Sequence, residues 1–207
     1  MAETHDSTMI VNALVRQALT SAQEVMGENG LHAVLRTSGL ERFIGNFPPD
    51  NLEPSIQAVQ YAKLNEAIEA FYGRGGRGML RRIGKASFQY AVREQAALLG
   101  IAGVALKILP ERQRIKFILN SMANALKKSN PDVQAWMDDS GDRIAYFEST
   151  CAICQGRTSD HPVCHLYAGS IGEAVQWATG REFEIIETHC RAKGDPHCRF
   201  EVGEARD

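Results

Sequence analysis

The hydrophobic period of this chain changes once, at Asn130-Pro131, and that change divides it into two kinds of structure. Before the break, apolar residues recur at helical spacing. After it, Val133, Ala135 and Met137 alternate with Gln134, Trp136 and Asp138, which is the period of a half-buried strand. A chain of this pattern predicts an α+β fold, with helices first and a sheet second.

The helical part reads in segments. Val11, Leu14, Val15, Ala18, Ala22, Val25 and Met26 form a first stripe, with the glycines from Gly27 to Gly30 as its predicted end. Asn46 to Pro54 forms a break, because adjacent prolines forbid helix. Ser55 to Tyr72 resumes helical spacing. The cluster Gly73-Arg-Gly-Gly-Arg-Gly78 then interrupts, and a further helix is predicted from Met79 to Gln95. The alanine-rich residues 96–108 are expected to continue as helix. Ile115, Ile118, Leu119, Met122 and Leu126 form the clearest stripe, with Lys127 and Lys128 placed to favour the helix dipole at its end.

Past the break, residues 133–138 and 143–149 predict a hairpin around Asp139-Ser-Gly-Asp142. A helix is expected from Asp160-His-Pro162 to Gly180, with its first turn carrying Cys164. Phe183 to Glu187 and Cys198 to Val202 predict two more strands, separated by the turn Gly194-Asp-Pro196. The order is strand, strand, helix, strand, strand.

All five cysteines lie between positions 151 and 198 of a 207-residue chain. An odd number crowded into one segment suits a metal site better than a disulfide framework. Cys164 at a helix start, Cys190 at a strand end and Cys198 at the next strand's start can converge, with Glu187 as a fourth donor. Three thiolates and one carboxylate make a closed four-coordinate shell, the arrangement of structural zinc. His189 and His197 flank these cysteines as alternative ligands to Glu187. Cys151-Ala-Ile-Cys154 is a separate pair, either a redox pair or an alternative metal pair, and the spacing sets it outside the four-ligand group.

The run from Cys151-x-x-Cys154 through Cys164-His-Leu-Tyr-Ala-Gly169 and Glu187-x-x-Cys190 to Gly194-Asp-Pro-x-Cys198-x-Phe200 resembles the 4-vinyl reductase domain family. That family includes a bacteriochlorophyll-biosynthesis protein and the sensor domains of phenol-responsive activators, and it is related to subunits of a vesicle-tethering transport particle. The resemblance implies that Cys164, Glu187, Cys190 and Cys198 hold zinc. It also implies a four-stranded antiparallel sheet with helices, a hydrophobic ligand pocket and a homodimer.

Residues 1–54 are read as an N-terminal helical and dimerisation segment, and residues 55–207 as the ligand-binding domain that resembles the 4-vinyl reductase family. Trp136, Tyr146 and Phe147 on the first hairpin are core aromatics or the walls of a pocket for a flat ligand.

The formal net charge of −2 gives no basic field, so nucleic acid is not an expected partner. No stretch reaches the roughly 20 apolar residues of a membrane span, and the acidic start resembles no signal peptide. A cytoplasmic protein with reduced thiols is expected. Gly73-x-Gly-x-x-Gly78 follows a helix rather than a strand, which sets it apart from a dinucleotide fingerprint. With no catalytic residues identified, the sequence predicts a sensory or carrier module for a hydrophobic, aromatic or tetrapyrrole-like ligand. A reductase or accessory factor for a chlorophyll vinyl group is the alternative, and a scaffold protein the third reading.

Overall fold

The computed structural model describes residues 8–96 and 106–206. The first strand, β1 (Met9–Val11), pairs antiparallel with β2 (Pro54–Gln57). Between them runs α1 (Asn12–Thr37). The helix continues past Gly27 rather than ending there. Gly27 takes φ +78°, a conformation that costs glycine little, so the axis kinks and resumes. The β1–β2 ribbon has no counterpart in the sequence pattern, because three and four residues are too few to display a period.

Helix α2 (Ala58–Tyr72) opens with a reciprocal capping box between Gln57 and Gln60. A 3-10 turn at Gly73–Gly75 leads into α3 (Gly76–Glu94). A Cβ on Gly76 would lie 2.2 Å from the Glu69 carbonyl oxygen, so the glycine cluster lets two helix ends approach closely. The helix expected over residues 96–108 falls mostly outside the described residues, and Leu106–Ile108 form a 3-10 turn. Helix α4 (Glu111–Ser129) buries the predicted stripe of Ile115, Ile118, Leu119 and Met122.

The second half has the expected order. Strands β3 (Ala135–Asp138) and β4 (Ala145–Glu148) form a hairpin, α5 (His165–Thr179) follows, and β5 (Phe183–His189) and β6 (Cys198–Ala205) close the sheet. The four strands are antiparallel in the order β3-β4-β6-β5. Helix α5 begins later than predicted. Cys164 has non-helical angles (φ −86°, ψ 44°) and serves as the N-cap, its carbonyl accepting the first bond from Ala168 N–H at 3.0 Å. Gly180 ends the helix in the left-handed conformation, as its position predicted.

One continuous apolar core joins α1 and α3 to α5 and the inner face of the sheet. Each fully buried Leu or Ile within it, such as Leu19, Leu80, Ile83 and Ile171, contributes roughly 1.5–3 kcal/mol. The closest element pair is α3 with α5. A Cβ on Gly84 would sit 1.9 Å from the Leu166 carbonyl oxygen, and one on Gly169 would sit 2.1 Å from that of Arg81. Only glycine permits two backbones to meet this way. This crossing fixes where Cys164 and Tyr167 stand.

Candidate metal centre and cavity

The cysteine segment converges more completely than its spacing predicted. Cys164, at the start of α5, lies against the end of the β5–β6 hairpin. Its Sγ is 3.9 Å from Cys190 Sγ and 3.8 Å from Cys198 Sγ. The donor atoms of Cys164, Glu187, Cys190 and Cys198 all lie within 4.8 Å of one another. The sequence-predicted quartet is therefore assembled in space.

Local structure explains each placement. Ile185 and Glu187 occupy alternate positions of β5 and share its inward face. Glu187 Oε2 accepts a hydrogen bond from the Cys164 N–H at 2.9 Å, satisfying a free donor at the start of α5. Its other oxygen, Oε1, is buried with no hydrogen-bond partner, in a residue only 9% exposed. Burial, reinforced by Cys190, pushes the Glu187 carboxyl up to about 9. A carboxylate buried with one free oxygen beside thiols is a donor that fits a bound cation.

The hairpin turn is built as a metal-binding knuckle. Asp195 Oδ2 accepts from Cys190 N–H at 2.8 Å, and Gly194 takes φ +93°. The Arg191 N–H points to Cys198 Sγ at 3.5 Å. An amide aimed at sulfur stabilises thiolate, the form that binds metal. The donor set of soft sulfurs and one carboxylate fits zinc.

Cys151 and Cys154 do not stand apart from this group. Cys151 Sγ lies 3.6 Å from Cys164 Sγ, and Cys154 Sγ lies 3.5 Å from Cys198 Sγ. A second quartet, Cys151, Cys154, Cys164 and Cys198, is thus gathered within 4.8 Å. All five cysteines are free and buried. His189 and His197, the alternative ligands, face each other with ring centroids 5.9 Å apart and belong to neither quartet.

A second feature adjoins the cysteines. An apolar cavity of about 100 Å³ lies between the helices and the sheet. Leu14 and Ala18 of α1, Tyr61 of α2, Glu148 of β4, and Leu166 and Tyr167 of α5 line it. Thr150, Ala152 and Ile153 complete one wall, interleaved with Cys151 and Cys154. A second cavity of about 80 Å³ shares Leu14, Gln17, Leu126, Tyr167 and Ser170 with the first.

Polar groups in the main cavity are few. Ser87 Oγ is buried without a hydrogen-bond partner. Glu148 is 5% exposed, and burial pushes its carboxyl up to about 8. Tyr167 Oη meets Tyr146 Oη at 2.8 Å.

The three aromatics proposed from sequence separate. Tyr146 is fully buried and reaches the cavity only through Tyr167. Trp136 and Phe147 stack at 5.1 Å with rings nearly parallel, and Trp136 is 38% exposed. These two belong to the other face of the sheet, since Tyr146 and Phe147 are adjacent on β4 and point opposite ways. None of the three lines the cavity. The lining residue that sequence reasoning missed is Glu148. It shares the inward face of β4 with Tyr146, and an acidic residue at an inward strand position was the available signal.

Solved structures share this architecture. An oxygen-binding H-NOX domain related to soluble guanylate cyclases has 14% identity and a TM-score of 0.60, covering 93% of this chain and 93% of that one. An unliganded Fe(II) H-NOX protein from K. algicida has 12% identity and a TM-score of 0.58, over 96% and 97% of the two chains. These likenesses define the class as an H-NOX-like α+β fold. Residues 146–204 match the family model of the 4-vinyl reductase domain, and the chain carries such a domain there. The phenol-responsive sensory domain of the transcription activator PoxR, solved with phenol, has 18% identity and a TM-score of 0.47 over 70% and 72% of the two chains. No curated protein matches the chain in sequence.

Proposed function

We propose that this chain is a non-catalytic sensory or carrier module that binds a small apolar molecule, about one aromatic ring in size, in the cavity walled by α1, α2, β4 and α5. The carrying observation is the cavity itself, apolar on most sides and offered a single carboxyl by Glu148. Apolar walls supply affinity, and a few placed polar groups orient the ligand. At neutral pH the raised Glu148 carboxyl retains its proton and donates to a ligand oxygen.

Size decides the ligand class. An apolar cavity of roughly 150 Å³ accepts benzene, and the main cavity with its neighbour is of that order. A tetrapyrrole is far larger. The H-NOX family is described by its heme, yet no histidine or cysteine lines this cavity among the described residues. Heme therefore does not fit here, and the tetrapyrrole-like ligand expected from sequence gives way to a single ring. A filled core would have favoured a scaffold, and the cavity argues for binding instead.

In this reading a zinc ion on Cys164, Glu187, Cys190 and Cys198 anchors α5 to the β5–β6 hairpin and so holds the cavity wall. The shell is closed, so the ion holds structure rather than activating water. Residues 1–54 as a dimerisation segment belong to the same proposal.

Calorimetry with phenol, cresols and benzene tests the reading. Binding of at least one of these probes, abolished by Ala18→Phe, is the expected result. Heat-silent titrations with all of them, together with unchanged thermal midpoints, would overturn it.

A further inference from the structure

Six donors surround this centre, and one tetrahedral ion uses only four of them. Whichever quartet that ion takes, two buried donors remain beside it. The two quartets are not rivals for separate positions, because they share Cys164 and Cys198. We propose that Cys151 and Cys154 complete a second soft divalent-metal site that shares Cys164 and Cys198 with the first, giving a binuclear zinc–thiolate cluster. This goes beyond the four-ligand site above and rests on it for the first ion.

The geometry matches edge-sharing tetrahedra. A zinc–sulfur bond of about 2.3 Å gives a sulfur–sulfur edge of about 3.8 Å around a tetrahedral ion. The shared edge, Cys164 to Cys198, is 3.8 Å. Cys164 to Cys190 is 3.9 Å on one side, and Cys151 to Cys164 is 3.6 Å on the other. Cys154 to Cys198 is 3.5 Å. A thiolate has the spare lone pairs to bridge two ions, and the Arg191 N–H on Cys198 Sγ supports one of the two bridging sulfurs.

Charge agrees with the geometry. One divalent ion with three thiolates and a carboxylate leaves a net charge of minus two. A second ion arriving with the Cys151 and Cys154 thiolates adds nothing to that charge, while both thiol protons leave to solvent. The two extra cysteines thus cost no further buried charge. No electron transfer is involved.

The test is metal counting on the full chain, purified, loaded with zinc and desalted. Native mass spectrometry is expected to give two zinc ions per chain, and Cys151→Ser with Cys154→Ser is expected to give one. Cadmium-loaded wild type should show two NMR resonances coupled to each other through the bridging sulfurs, a readout that needs no variant to fold. One ion per chain in the wild type, unchanged by the double substitution, would overturn the second site and leave the first. No bound ion would overturn both. Iron with acid-labile sulfide in place of zinc would overturn the zinc cluster.

Discussion

Tyr146 and Tyr167 present their phenol oxygens to each other at 2.8 Å, one from β4 and one from α5, and so tie the sheet to the helix that walls the cavity. Burial pushes both hydroxyls well above the ordinary tyrosine range, so neither ionises and one donates to the other. Replacing one with phenylalanine leaves its partner buried and unsatisfied. Tyr146→Phe is expected to cost about 1–3 kcal/mol in urea unfolding, and the double change to phenylalanine less than the two single costs added together. Strict additivity would deny the coupling.

The Gly84–Gly169 crossing predicts a sharp contrast among glycines. Gly169→Ala puts a methyl 2.1 Å from the Arg81 carbonyl oxygen, which forces α3 and α5 apart. A loss of about 3 kcal/mol is expected, at the upper end of overpacking. Gly78→Ala, also in α3, meets nothing within 4 Å and should gain up to about 1 kcal/mol from helix propensity. Denaturant midpoints compare the two directly.

Glu148 predicts an alkaline weakness. Its carboxyl is raised from 4.5 to about 8, mainly by burial. Between those values the folded protein holds a proton that the unfolded chain has released. The stability from this group is complete below about pH 4.5 and is lost as pH rises through about 8. The expected fall is about 1.4 kcal/mol per pH unit inside that window. Unfolding curves at pH 6 and pH 9 should diverge for the wild type and draw together for Glu148→Gln. Equal pH slopes for the two proteins would exclude this carboxyl as the source.

Removing metal should loosen the whole domain rather than one activity. Cys190→Ser, or chelation of the wild type, leaves the start of α5 and the β5–β6 turn without their common anchor. A loss of about 3 kcal/mol is expected, from uncompensated buried donors. At this chain length that lowers the thermal midpoint by about 6–12 °C. A chelated protein with an unchanged midpoint would remove the structural role from the metal.

Much of this was legible in the sequence, and the rest was hidden for identifiable reasons. The change of period at Asn130-Pro131 located the sheet, because alternation such as Ala135, Trp136 and Met137 is local information. Cys164, Glu187, Cys190 and Cys198 were legible because a hairpin and a helix start constrain them. Cys151 and Cys154 were placed apart because their approach depends on how residues 149–164 fold back, which no period encodes. The late start of α5 escaped as well. A proline two residues before Cys164 looked like a first turn, but Glu187, distant in sequence, caps the helix at Cys164 instead. The cavity depends on Glu148, Tyr61 and Tyr167 meeting from three elements, and only the inward position of Glu148 hinted at it.

The glycine crossing also makes α5 a lever. Gly169 is its fulcrum, seated against the backbone of α3. The short arm runs about 7.5 Å to Cys164 and carries Tyr167 and Leu166 into the cavity wall. The long arm runs about 15 Å to Thr179, where Arg114 of α4 grips the carbonyls of Ala178 and Thr179. Any tilt that an occupant forces on the cavity end arrives at α4 reversed in direction and about doubled in size.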